Sequence, residues 1–310
     1  MSSDKVLRVQ CALGPRDHQL LQWLRDHGVL TTPQIAHALF PSLDFAQRRL
    51  TRLIDLDLVD RFRPLRQGGG SYPYHYVIDQ LGAEVVAAQR DEPPPRPGYA
   101  RLNRRRWTHT SNLPHRLGIT QFFTDLAGHA RTHPDHALTR WWSERRCART
   151  GAFGRPDGLM DLRTKPAPIH PDGHGIWSGP HGRVPFFYEY DTGTEPLTEL
   201  MRKMIGYARL VNYGGPAWPV LFRLNSTERE HNLHDCLGDT PMAVSVATAV
   251  LPDLEPDDSS TKDSHQAPVR PRPDPAGPCW WLHGHHRRLA LAEFASVVDG
   301  VNDYPDHAPD

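Results

Sequence analysis

Glu189 and Asp191 close the apolar run Val184 to Tyr190, and Asp157 follows a proline in the segment Arg155 to Leu162. If both segments are strands, Glu189 and Asp191 stand two residues apart and project from one face. Glu144 lies on an expected strand from Leu138 to Cys147. Carboxylates crowded into one place resist ionising together unless a cation or protons sit among them, and oxygen-only donors suit Mg²⁺ or Mn²⁺. Such an ion would polarise a phosphate and supply a hydroxide-like water. On the helix expected over Glu195 to Val211, Lys203 and Tyr207 flank the stripe Leu197, Leu200, Met201, Met204, Ile205 and Ala208. The plainer readings are a solvated strand end and an i,i+4 pair of Lys203 with Glu199.

The elements that must hold these residues follow from periodicity. A helix from Asn112 to about His133 leads into strands over Leu138 to Cys147, Arg155 to Leu162 and Val184 to Asp191. The helix to Val211 follows, then a strand over Pro219 to Leu224, a helix over Thr227 to Leu237 and a strand over Met242 to Val250. That order predicts a mixed α/β sheet domain over 111–251. Residues 252–278 are acidic and Pro-rich without periodicity and read as a disordered linker. Residues 279–310 then offer a docking segment and tail, with Trp280 and Trp281 as an anchor for a partner. His283, His285 and His286 crowd one loop, but with no cysteine or spaced carboxylate beside them they read as loop residues.

The front of the chain reads differently. Arg16 to His27 is periodic and stopped by Gly28; Thr31-Thr32-Pro33 opens a second helix; Pro41-Ser42-Leu43-Asp44 caps a third, Phe45 to Asp57. Leu58 to Arg63 and Tyr74 to Ile78 flank the glycine-rich Gln67 to Ser71, a hairpin pattern. Three short helices and a hairpin predict a winged helix-turn-helix over 1–90. Its third helix would enter the major groove of double-stranded DNA with Gln47, Arg48, Arg49, Thr51 and Arg52, while Arg61, Arg63 and Arg66 on the wing would meet the backbone. The alternative for this face is contact with a second copy in a homodimer. Residues 91–110 read as a Pro/Arg-rich linker whose Arg104, Arg105 and Arg106 form a further phosphate contact or a solvated face.

Charge supports that division. The 310 residues balance at zero net charge, yet residues 1–110 hold 16 Lys/Arg against 11 Asp/Glu, and residues 252–310 hold 5 against 11. A basic front on a neutral chain points to a local anionic partner. No apolar run approaches a membrane span and no signal-peptide region opens the chain, so the expected location is the cytoplasm. The four cysteines are scattered with no CxxC, as reduced structural thiols are.

On the motifs PRDHQLLQWLRDHGVLTTPQIAHALFPS, AQRRLTRLIDLDLVDRF, GGGSYPYHYV, LPHRLGITQFFTDL, WWSERRC, RPDG and FFYEYDTGTEPLTELMRKMIGYARL, the chain resembles the actinobacterial replication-relaxation family of plasmid and mobile-element proteins. The resemblance covers residues 13 to about 237 and implies a link to plasmid replication or DNA relaxation. The second domain is similar to the PD-(D/E)XK restriction-endonuclease-like superfamily, which implies a Mg²⁺ site with Asp157 on the second strand and Glu189 on the third. By the same resemblance Glu144 would assist from the first strand. Where that pattern has lysine, two residues after the glutamate, this chain has Asp191, so Lys203 would take the role and orient or deprotonate the water, with Tyr207 hydrogen-bonding a phosphate oxygen. The whole is then a mixed α+β protein, either nicking DNA with Mg²⁺ or Mn²⁺ or serving as an accessory that recruits a relaxase or replication protein.

Overall fold

The computed structural model describes residues 2–64, 71–154, 166–251, 274–299 and 301. Arg66, the expected strand Arg155 to Leu162 with Asp157, and most of the expected linker 252–278 lie outside them. The described residues fall into two compact units, which divide between Gly128 and His129.

The first unit opens with α1 (Ser2–Gln10) and α2 (Pro15–His27). Proline at the first position and the Asp17 carboxylate, which accepts the Gly14 N–H at 2.8 Å, start α2; Leu20, Leu21 and Leu24 give it a fully buried stripe. A short strand β1 (Leu30–Thr31) leads into α3 (Thr32–Leu39), capped reciprocally by Thr31 and Gln34. Ser42 caps α4 (Leu43–Asp55) by accepting the Phe45 N–H. Strands β2 (Val59–Phe62) and β3 (His75–Ile78) pair antiparallel, and β1 takes the other edge of β3, giving the order β1-β3-β2.

Three more helices follow: α5 (Gln80–Gln89), α6 (Tyr99–Thr108) and α7 (Leu113–Thr132), whose last turn falls in the second unit. The stretch expected as a linker therefore holds a docked helix. Trp107 of α6 is buried with Val29, Phe62 and Val77, and Arg104 pairs with Asp60 of β2 at 2.8 Å. A row of arginines hid the single tryptophan that seats the helix. Gln34 of α3 donates to the Leu117 carbonyl and Thr120 hydroxyl of α7, at 3.0 and 3.2 Å, using up a buried amide.

Gly28 ends α2 with φ 90°. A methyl group there would stand 2.1 Å from the Trp107 ring. Gly28→Ala is therefore expected to lower stability by about 1–3 kcal/mol through strain and overpacking, read as a fall in the urea midpoint. An unchanged midpoint would mean that α6 is not seated on Gly28.

The second unit is built on a seven-stranded sheet ordered β10-β9-β8-β7-β6-β5-β4. Strands β4 (Ala137–Ser143), β5 (Gly173–Gly179) and β6 (Gly182–Tyr190) form an antiparallel meander. Helix α9 (Leu197–Asn212) then crosses to β7 (Val220–Leu224), parallel to β6, and α10 (Thr227–Leu237) crosses to β8 (Val246–Val250), parallel to β7. Strand β6 lies between two neighbours, and Val184, Phe186, Phe187 and Tyr188 are fully buried, as a central strand's run should be. Leu200, Met204, Tyr207 and Leu210 of α9 join Phe187, Val220 and Phe222 in the core beneath it.

One expected strand is shorter than its pattern. Strand β4 stops at Ser143, and Glu144–Cys147 turns into the short helix α8. Glu-Arg-Arg-Cys has no β-branched residue to favour extension, and an acidic residue suits a first helical turn. Glu144 therefore stands on a helical turn after the first strand, not on the strand.

The described residues from 274 onward extend the sheet. Strand β9 (Trp280–Leu282) pairs antiparallel with β8, and β10 (Arg288–Leu289) pairs with β9, followed by a 3-10 turn (Leu291–Glu293) and α11 (Phe294–Val297). Trp280 is fully buried and donates its indole N–H to the Pro275 carbonyl at 2.8 Å, so it is core and not half of an exposed anchor.

Candidate functional site

Glu189 points inward from the penultimate position of β6 and is 1% exposed. Its two oxygens are held separately. Lys203 Nζ lies 2.5 Å from Oε2, and Tyr207 Oη donates to Oε1 at 2.6 Å. Lys203 and Tyr207 stand one turn apart on α9, so a single helical face delivers both donors to one carboxylate. Glu199 instead bonds Arg202, three residues on, which removes the i,i+4 reading of Lys203.

A residue not singled out in the sequence completes this centre. Asp172 sits just before β5, and its Oδ2 accepts the Tyr190 N–H at 2.9 Å. Burial pushes the Glu189 carboxyl up to about 7, the Asp172 charge adds to it, and Lys203 and Tyr207 pull it back. Burial alone would lower Lys203, but the charges of Glu189 and Asp172 outweigh that and leave it above the ordinary lysine range. Burial and the same carboxylates keep the Tyr207 phenol and the Cys147 thiol protonated, so neither is poised as a nucleophile.

Asp191 does not join them. It lies one residue beyond β6, where strand alternation no longer sets its direction. Its carboxylate takes two bonds from Arg229 of α10 and one from the Gly193 N–H. Asp172 and Glu189 are hard oxygen donors of the type that suits Mg²⁺ or Mn²⁺. Both Glu189 oxygens are already engaged, however, and among the described residues no group of three or more His, Cys, Asp or Glu could hold a metal ion. The described donors fall short of a divalent-metal centre, and Asp157 lies outside them.

In the first unit, α4 buries Ala46, Leu50 and Leu53 and exposes Gln47, Arg48, Thr51 and Arg52. Arg48 bonds Asp44 one turn earlier at 2.9 Å, an exposed pair that limits where its guanidinium points. Arg49 is different. Its guanidinium grips the buried Asp17 of α2 at 2.8 and 2.5 Å, which ties α4 to α2 and takes Arg49 off the exposed face. On the hairpin, Arg61 and Arg63 both stack on Tyr74, at 4.0 and 4.1 Å from its ring centroid. Of the α6 arginines, Arg104 is committed to Asp60, while Arg105 and Arg106 are exposed, the latter 5.2 Å from the Trp107 ring.

The family model described as Replication-relaxation matches residues 21–222, well over half of the 310 residues. The chain belongs to the replication-relaxation family. No curated protein matches it, and no solved structure does. The span shared with the replication-relaxation family takes in the exposed face of α4, the Arg61–Tyr74–Arg63 stack and the whole Asp172–Glu189–Lys203–Tyr207 centre. It stops before Arg229 and before the β9–β10 segment. One signal for Asp172 was present in the sequence: Pro-Asp-Gly occurs at 171–173 as well as at 156–158, and the second copy leads into the largely buried strand β5.

Proposed function

We propose that this replication-relaxation protein binds double-stranded DNA of a plasmid or mobile element, with a winged helix-turn-helix in its first unit. The observation that carries the reading is the face of α4, where Gln47, Arg48, Thr51 and Arg52 stand exposed opposite a fully buried apolar stripe. These side chains donate to base edges and phosphates, and the order helix, strand, helix, helix, hairpin supports a recognition-helix role for α4. Arg61 and Arg63, steadied on Tyr74, would position the backbone. Mobility shift of duplexes from the element's own origin over a salt series tests the reading, and no retardation at low salt ends it.

A second reading, metal-dependent nicking in the second unit, is favoured by the meander–helix–strand order and by Lys203 reaching Glu189. It needs Asp157 to join Asp172 and Glu189 as a donor. Supercoiled plasmid that the protein binds should then be nicked with Mn²⁺ or Mg²⁺, and Asp172→Asn and Glu189→Gln should each abolish nicking. Binding without nicking leaves a non-enzymatic accessory of replication.

A further inference from the structure

His283, in the turn after β9, meets an imidazole from another element. His234 of α10 is 7% exposed and places its Nδ1 3.1 Å from Nδ1 of His283. The outer nitrogens decide where the hydrogens are. His283 Nε2 lies 2.9 Å from the Gly238 carbonyl, which can only accept, so that nitrogen carries its hydrogen. His234 Nε2 lies 2.9 Å from the Thr248 hydroxyl, whose one hydrogen goes to Glu230 Oε1 at 2.8 Å. Thr248 must then accept from His234, and Nε2 carries the hydrogen there too. Glu230 is fully buried and its charge is met by Arg288, which fixes that end of the chain of bonds. In their neutral forms both rings then keep a bare Nδ1 lone pair at this contact.

We propose that His234 and His283 form a site for a borderline divalent transition ion, Zn²⁺ in the first place, which clips the C-terminal segment to α10 with water completing the coordination. Two nitrogens each ~2.0–2.1 Å from one ion at a tetrahedral angle stand roughly 3.3 Å apart, close to the spacing found here. Each ring also donates its outer N–H, one to a carbonyl and one to a hydroxyl backed by a carboxylate, the arrangement that orients metal-bound histidines. Strand β9 meets β8 in a short register, Ala247↔Leu282 and Thr248↔Trp281, so a bond from residue 283 to residue 234 adds a fastening that the ladder lacks.

The test uses the full chain, stripped with a chelator and titrated with Zn²⁺ in a calorimeter. One ion per chain is expected, with a melting temperature raised by several degrees and restored by chelator. His234→Ala and His283→Asn should each weaken binding at least tenfold. The His283→Asn change lies in a half-buried turn, so it keeps the test open if His234→Ala does not fold. Trp281 stacks on His234 with centroids 3.7 Å apart, so Cu²⁺ should quench fluorescence that Trp281→Phe lacks. Affinity unchanged in both histidine variants would place the ion elsewhere and overturn the proposal. So would no saturable binding to the stripped wild-type chain, or a shared proton between the Nδ1 atoms at neutral pH by NMR.

Discussion

Lys203→Met should destabilise the second unit by about 3–5 kcal/mol at pH 8, the cost of stranding one member of a buried ion pair. The same substitution should cost far less at pH 5. In the folded chain the Glu189 carboxyl titrates at about 7, above its ordinary 4.5, so it keeps a proton that the unfolded chain has released. Stability therefore falls as pH rises from about 4.5 to 7, and with the ammonium gone the folded value climbs further, carrying that fall to higher pH. At pH 5 Glu189 is protonated in both folded proteins, and the variant loses only a hydrogen bond. Urea midpoints at the two pH values, followed by tryptophan fluorescence, read this directly. Adding Glu189→Gln should recover most of the loss at pH 8, because an amide costs far less to bury than a carboxylate. A small, pH-independent cost would instead mean that Lys203 and Glu189 meet in water, as a surface pair does.

That centre was legible in the sequence only where local pattern determines it. The run Val184 to Tyr190 predicts a strand because its neighbours exclude water from both faces, and β6 covers Gly182–Tyr190. Lys203 and Tyr207 were recognisable as one helical flank for the same reason. Whether that flank meets Glu189 or Glu199 depends on how α9 lies across the sheet, which no spacing on α9 records. Asp172 was missed because Pro-Asp-Gly occurs twice and its place beside β6 depends on strand pairing that no local pattern records. Arg49 shows the same limit. It differs from Arg48 by one position on α4, yet its partner Asp17 is 32 residues earlier, and only the packing of α4 on α2 makes one arginine structural. Trp107 was likewise read as part of a basic linker, since its burial depends on Gly28 and Val29 far upstream.

The division between Arg48 and Arg49 sets the second large effect. Arg48→Ala and Arg52→Ala should each weaken cognate DNA binding by about 1–3 kcal/mol, and the double variant by on the order of a hundredfold or more, because a guanidinium lost from a base edge leaves a desolvated acceptor behind. Discrimination between cognate and scrambled duplexes should shrink with it. Arg61→Ala and Arg63→Ala act differently: each should weaken binding to every sequence alike and lower the slope of log affinity against log salt by about 1. Arg49→Ala is the internal control. Its guanidinium spends its bonds on Asp17, 3% exposed, so removing it leaves that carboxylate buried and unpaired. The expected result is a lower melting temperature, with DNA affinity close to wild type in the protein that remains folded. If Arg49→Ala abolished binding in a fully folded chain while Arg48→Ala and Arg52→Ala did nothing, α4 would not be the helix that enters the groove. The basic surface to examine next would be α6, where Arg105 and Arg106 stand exposed beside a strand already paired through Arg104.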